Sequence, residues 1–269
     1  MDCDRVVKEI EERLPEIARG IIQTNARLPE EQKQRFLQDP DAIEEHEPCW
    51  HQWGIITHSR KFREVYDNKT ARQLKEWGIE EQLEQEIDGQ LKAELIRIAM
   101  PLHDLGKFKK GASETAFTGH DKISEEIILS KEFREVLKKY GLTQAQTEYI
   151  ARCAGNHYEL GCVRAWARKT KGYTIQYTQS QEFAETIQAQ LQKYRGFEAE
   201  IGVLFLTDSL AKTDVTIKAE TDEEINKNTP EAEQEIIERG LNPELIHAVR
   251  QTPVNIAVAR EYLRAVSKY

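Results

Sequence analysis

No stretch of this sequence approaches the roughly 18 consecutive apolar residues that a membrane-spanning helix needs. The N-terminus, M-D-C-D-R-V-V-K, opens with acids and has no apolar signal region. A membrane span and a secretory leader are therefore not expected, and the protein is read as soluble and cytoplasmic. The four cysteines, Cys3, Cys49, Cys153 and Cys162, form no C-x-x-C pair. They read as reduced, structural thiols. A basic excess is also missing: the formal net charge is −9. That argues against nucleic acid held by a broadly basic surface and leaves only a local basic patch for such contacts. Glycine and proline are sparse, at 14 and 8 residues, and alternating β-branched runs are few. With an abundance of Glu, Gln, Lys, Arg, Ala and Leu, this points to an all-α protein. There is no internal repeat and no low-complexity tract.

Helical spacing of Val6, Val7, Ile10, Leu14, Ile17, Ile21 and Ile22 predicts an amphipathic helix over 4–25, interrupted or kinked near Pro15. A short helix and a loop follow over 26–50. Trp50, Trp53, Ile56, Phe62, Val65 and Tyr66 are expected along one helix with His58 in its middle. Residues 70–88 are expected to form another charged helix, ended by an Asp88-Gly89 turn. Helices are predicted over 131–140 and 143–154, and a briefly strand-like stretch, a small hairpin or an extended loop, over 172–178. The most hydrophobic run begins at Ile201 and should be a buried helix. It contains Asp208, with Asp214 beyond it. A bare carboxylate in such a run would cost several kcal/mol, so Asp208 needs a partner, and a cation is the economical one. A last helix is expected around 254–266.

The chemistry is concentrated between Ala99 and Ser124, in A-M-P-L-H-D-L-G-K-F-K-K-G-A-S-E-T-A-F-T-G-H-D-K-I-S. His103 supplies a neutral nitrogen and Asp104 a charged oxygen that can bridge two ions, while Lys107 can meet an anion. Gly119 breaks the chain before His120 and places it at a helix N-terminus facing inward. His157 follows a glycine at a helix end, where loops commonly present ligands. Arg164, Arg168, Lys169 and Lys171 form a basic run with no acid among them, a candidate phosphate contact or a solvated face. Lys212, one helical turn after Asp208, either orients a ligand or faces substrate, or is an ordinary surface lysine. His46, His51 and His247 sit in polar or terminal contexts and are left out.

The order His58, His103-Asp104, His120, His157, Asp208, with H-D-L-G-K and F-T-G-H-D-K-I-S, resembles the HD-domain superfamily of metal-dependent phosphohydrolases. The likeness covers roughly residues 50–215. It implies an all-helical bundle with the site between helices. His58, His103, Asp104 and Asp208 would hold a first metal, and Asp104 would bridge to a second held by His120 and His157. Both would be divalent ions drawn from Fe, Mn, Co or Zn. A shared acid between two cations is also what Coulomb repulsion demands. The expected activity is hydrolysis of a phosphate ester, a nucleotide or related small phosphorylated substrate. Asp104 and Lys107 would be catalytic, and Lys107, Arg164, Arg168 and Lys212 substrate-binding. Some members of the superfamily hold two irons and activate oxygen, and others bind a nucleotide or metal without turnover. A diiron oxygenase and a regulatory module are therefore the alternatives. No GYP-like signature and no nucleotidyltransferase head is present, which argues against cyclic dinucleotide cleavage and tRNA end repair. The expected organisation is one domain: 1–45 an N-terminal extension, 46–215 the HD-type portion, and 216–269 C-terminal helices packed on it. An amphipathic helix at each end leaves a homodimer open.

Overall fold

The computed structural model describes residues 1–109, 117–161, 163, 164, 167 and 172–268, with only the backbone of residue 80. It is all-α, apart from one two-stranded hairpin among the described residues. The described residues divide into two compact units. The first comprises Met1–Glu45, Gly54–Glu64 and Leu83–His157; the second comprises His46–Trp53, Val65–Gln82 and Tyr158–Tyr269. None of the helices among the described residues is long and apolar enough to cross a membrane.

The first unit is built on α1 (Cys3–Thr24), α2 (Glu30–Gln38), α3 (Pro40–Ile43) and α4 (Ile55–Val65). Val6, Val7, Ile10, Leu14, Ala18 and Ile22 of α1 are buried, at the three-and-four spacing that makes one apolar stripe. Of the interruption or kink expected near Pro15, the interruption is absent: the helix is continuous through that residue. Proline has no N–H for the carbonyl of Glu11, one turn earlier. Arg60 of α4 donates to that carbonyl instead, through Nη2 at 2.9 Å and Nε at 3.3 Å. Arg63 meets the Glu11 carboxylate at 2.8 Å.

Trp50 and Trp53 precede α4 rather than lying on it. The helix starts at Ile55 because the Glu44 carboxylate accepts from the N–H groups of Ile56 (3.1 Å) and Thr57 (3.4 Å). A negative group there satisfies otherwise orphaned donors and complements the helix dipole. A remote acid therefore sets the boundary.

The charged helix expected over 70–88 is also corrected. A π-helical turn, Tyr66–Thr70, leads into α5 (Ala71–Glu76), followed by a 3-10 turn at Glu80–Leu83. Then β1 (Glu86–Ile87) and β2 (Gln90–Leu91) form a hairpin. Asp88 and Gly89 both take positive φ, 48° and 78°, the conformation that a two-residue hairpin turn uses.

From the hairpin, α6 (Lys92–Ala99) runs into 3-10 turns at Met100–Leu102 and Leu105–Phe108. Then come α7 (His120–Leu129), α8 (Lys131–Lys139) and α9 (Gln144–Asn156). Helix α6 packs on α1 and α9, and α7 lies against α9 and the Leu105–Phe108 turn. The last contact is very close. A Cβ on Gly106 would lie 2.0 Å from the His120 carbonyl oxygen.

In the second unit, α10 (Gln181–Lys193), α11 (Glu198–Ala211), α12 (Asp222–Glu238) and α13 (Ile246–Val266) follow in order. Helix α11 is almost wholly buried, as its hydrophobicity requires, and packs on α13. Of the small hairpin or extended loop expected over 172–178, no hairpin forms: the chain is irregular before a 3-10 turn, Gln176–Gln179, and the N–H groups of Ile175 and Gln176 donate to the Asp222 carboxylate.

Gly106→Ala should lower the unfolding free energy by about 2–3 kcal/mol, because a backbone carbonyl cannot move aside as a side chain can. The check is a reduced urea midpoint at unchanged slope.

Candidate metal centre

In the first unit, His58, His103, His120, His157 and Lys107 surround one carboxylate. Asp104 is fully buried, and so is His58, with His103 and His157 nearly so. The two oxygens face different neighbours. Oδ1 lies 3.1 Å from His120 Nε2 and 3.9 Å from His157 Nε2. Oδ2 lies 2.8 Å from Lys107 Nζ, 3.1 Å from His103 Nε2 and 3.7 Å from His58 Nε2. Burial works against the charge on Asp104. The nearby charges of His103 and Lys107, with contacts from His103 and His120, outweigh it and hold its pKa well below the usual carboxylate range.

Three of the histidines are oriented by one local device. His103 Nδ1 contacts the Met100 carbonyl at 2.7 Å, His120 Nδ1 that of Phe117 at 2.6 Å, and His157 Nδ1 that of Ala154 at 2.8 Å. In each case the carbonyl lies three residues earlier. A carbonyl only accepts, so each Nδ1 carries a proton and donates it. Each Nε2 is then left facing Asp104 with either a proton or a lone pair. The His120 and His157 Nε2 atoms are 3.2 Å apart. Two lone pairs that close repel unless a proton or a metal ion lies between them.

Supporting contacts tie the elements together. The Gly106 N–H donates to Ser124 Oγ at 2.8 Å, and that hydroxyl donates to the His120 carbonyl at 2.9 Å. This joins the turn after Asp104 to the first turn of α7. Lys122 donates to the Gly155 carbonyl and, at 2.8 Å, to Asn156 Oδ1, holding the end of α9 that presents His157. The Phe62 ring stands edge-on to His103 with centroids 4.4 Å apart. Phe62, Ser124 and Lys122 carry no ligand chemistry of their own; only the serine's place one turn after His120 signals its role.

The residues fit a metal on two observations. His103 Nε2 and both Asp104 oxygens are buried yet have no well-formed hydrogen bond among the described residues. Ligand atoms of His103, Asp104 and His157 also lie within 4.8 Å of one another. A divalent cation would satisfy what the protein alone leaves unsatisfied.

The HD domain family model matches residues 68–161. That segment is similar to an HD domain. The match spans about a third of the chain and contains His103, Asp104, Lys107, His120 and His157, with His58 before it. No curated protein matches the chain.

The remaining expected site residues belong to the second unit. Asp208 is buried on α11 and pairs with Lys212 Nζ at 3.2 Å. Lys212 is itself buried, which overturns its reading as a surface lysine, and its ammonium lies 6.0 Å from the centre of the Tyr158 ring. Arg164 donates to Tyr158 Oη and to Gln251 Oε1, and its guanidinium lies 4.9 Å from the Trp50 ring centre. Arg168 lies outside the described residues, as do Lys169 and Lys171.

Protons and metal compete for the same Nε2 atoms, so metal affinity should fall as pH is lowered. Calorimetric titration with Mn²⁺ or Zn²⁺ from about pH 8 to about pH 5 measures this directly. Affinity that stays flat across the range would remove the imidazoles from the ligand set.

Proposed function

We propose that this protein is a metal-dependent phosphohydrolase that cleaves the phosphate ester of a small phosphorylated substrate, a nucleotide or a compound like one. The observation that carries this reading is the division of labour at Asp104. One oxygen is shared with His120 and His157 and the other with His58 and His103. A carboxylate so placed suits bridging between two divalent ions, each with its own imidazoles. Bound at such residues, divalent metal supplies an acidified water as nucleophile and polarises the phosphoryl oxygens.

The chain's own groups have definable tasks. Asp104 stays anionic and offsets the positive charge that would otherwise accumulate in a buried site. The Nδ1 contacts with backbone carbonyls keep the imidazole rings from rotating, so their Nε2 atoms stay aimed inward. Lys107 is nearly buried, within 2.8 Å of Asp104 Oδ2 and 5.7 Å from the Phe117 ring centre. It offers a positive charge for a non-bridging phosphate oxygen, with the ring limiting where its ammonium can go.

Protein purified without chelator should contain about two divalent ions per chain by elemental analysis, and should release inorganic phosphate from a panel of nucleotides and sugar phosphates. Asp104→Ala should lose metal and activity together. Lys107→Ala should retain metal while turnover falls by about 10²-fold or more. Full metal in wild type with no phosphate released from any substrate would favour the oxygenase or regulatory readings. Unchanged metal in Asp104→Ala would overturn the site itself.

A further inference from the structure

We infer that the second unit holds a separate binding site for a small organic anion with an apolar body. A cavity of about 420 Å³ opens between α5 with its preceding turn, the end of α11, the segment 216–220 and α13. That volume is within the range of small-molecule sites. Its floor is apolar, formed by Ile175, Leu210, Ile217, Ile256 and Ala257. Its charged lining residues are Lys69, Lys218 and Arg260, with one acid, Glu220.

The three positive charges are not equivalent. Arg260 is matched by Glu220 at 3.0 Å and Glu261 at 3.5 Å. Lys69 and Lys218 have no ion-pair partner among the described residues. In a chain where 47 acids outnumber 38 bases, two uncompensated lysines at the mouth of one apolar cavity leave a local excess of positive charge. The backbone adds donors. Residues Val215–Ala219 belong to no helix or strand, with Val215 and Ile217 buried and Thr216 and Lys218 exposed. The N–H groups of Thr216, Ile217, Lys218 and Ala219 donate to no partner among the described residues.

Unpaired donors and ammonium groups above an apolar floor select a ligand with an anionic head and a flat or aliphatic body. Bare inorganic phosphate would leave the floor wet. A neutral hydrocarbon would leave the lysines unmatched. The site uses none of the residues around Asp104, so it stands or falls independently of the phosphohydrolase reading.

Anilinonaphthalene sulfonate is a suitable probe, having an aromatic body and a sulfonate that ligates metal poorly. The full chain should bind it saturably, one molecule per chain, with blue-shifted emission, and equally before and after chelator treatment. Lys69→Glu combined with Lys218→Glu should weaken binding at least tenfold. Both side chains are exposed, so the urea midpoint should not move. Ala219→Trp, which fills the mouth, should weaken binding in the same way. Absence of saturable binding up to about 1 mM probe, or an unchanged affinity in the doubly substituted protein, would refute the site.

Discussion

A single carboxylate with no surface of its own exposed governs this structure. An isolated buried ion costs several kcal/mol even after relaxation, so Asp104 exists in its charged form only because other groups converge on it. Four imidazoles and one ammonium do so, drawn from four parts of the first unit. His58 is brought by α4, His103 and Lys107 by the turns around Asp104, His120 by the start of α7, and His157 by the end of α9. The helices are thus arranged around an electrostatic requirement as much as around the apolar core.

What makes that convergence reproducible is local. Each of three histidines uses the carbonyl three residues before it, so its ring orientation is settled within one turn of chain. Long-range packing then needs only to place helix ends, and the helix ends are where the tight contacts lie. Gly106 admits the His120 carbonyl. Ser124 joins the same two elements, and Lys122 holds the terminus of α9. A metal centre built this way tolerates variation in the helix middles but not at these junctions.

Much of this was legible in the sequence because the relevant signals are short-ranged. Gly119 before His120, the glycine before His157 and the His-Asp-Leu-Gly-Lys run each announce themselves within a few residues, and α7, α8 and α9 end close to where periodicity places them. The errors share a different origin. Glu44 sets the start of α4 from eleven residues away, and Arg60 replaces the hydrogen bond that Pro15 removes from α1, so neither outcome can be read from the segment concerned. Over 70–88 the charge pattern resembles a solvated helix face, yet the Asp88-Gly89 hairpin and its preceding turns use up the chain in compact bends. Lys212 shows the same limit. Its spacing from Asp208 marks an ion pair, but only the packing of α11 shows that the pair is buried.

The composition of the centre bears on what it attracts. Within the first unit, one carboxylate faces four imidazoles, which are neutral when they act as ligands, and one ammonium. Lys107 alone already balances Asp104. A divalent ion held there would add positive charge in a low-dielectric setting where such charge is felt strongly, and that favours hydroxide or another anion as the group that completes its coordination.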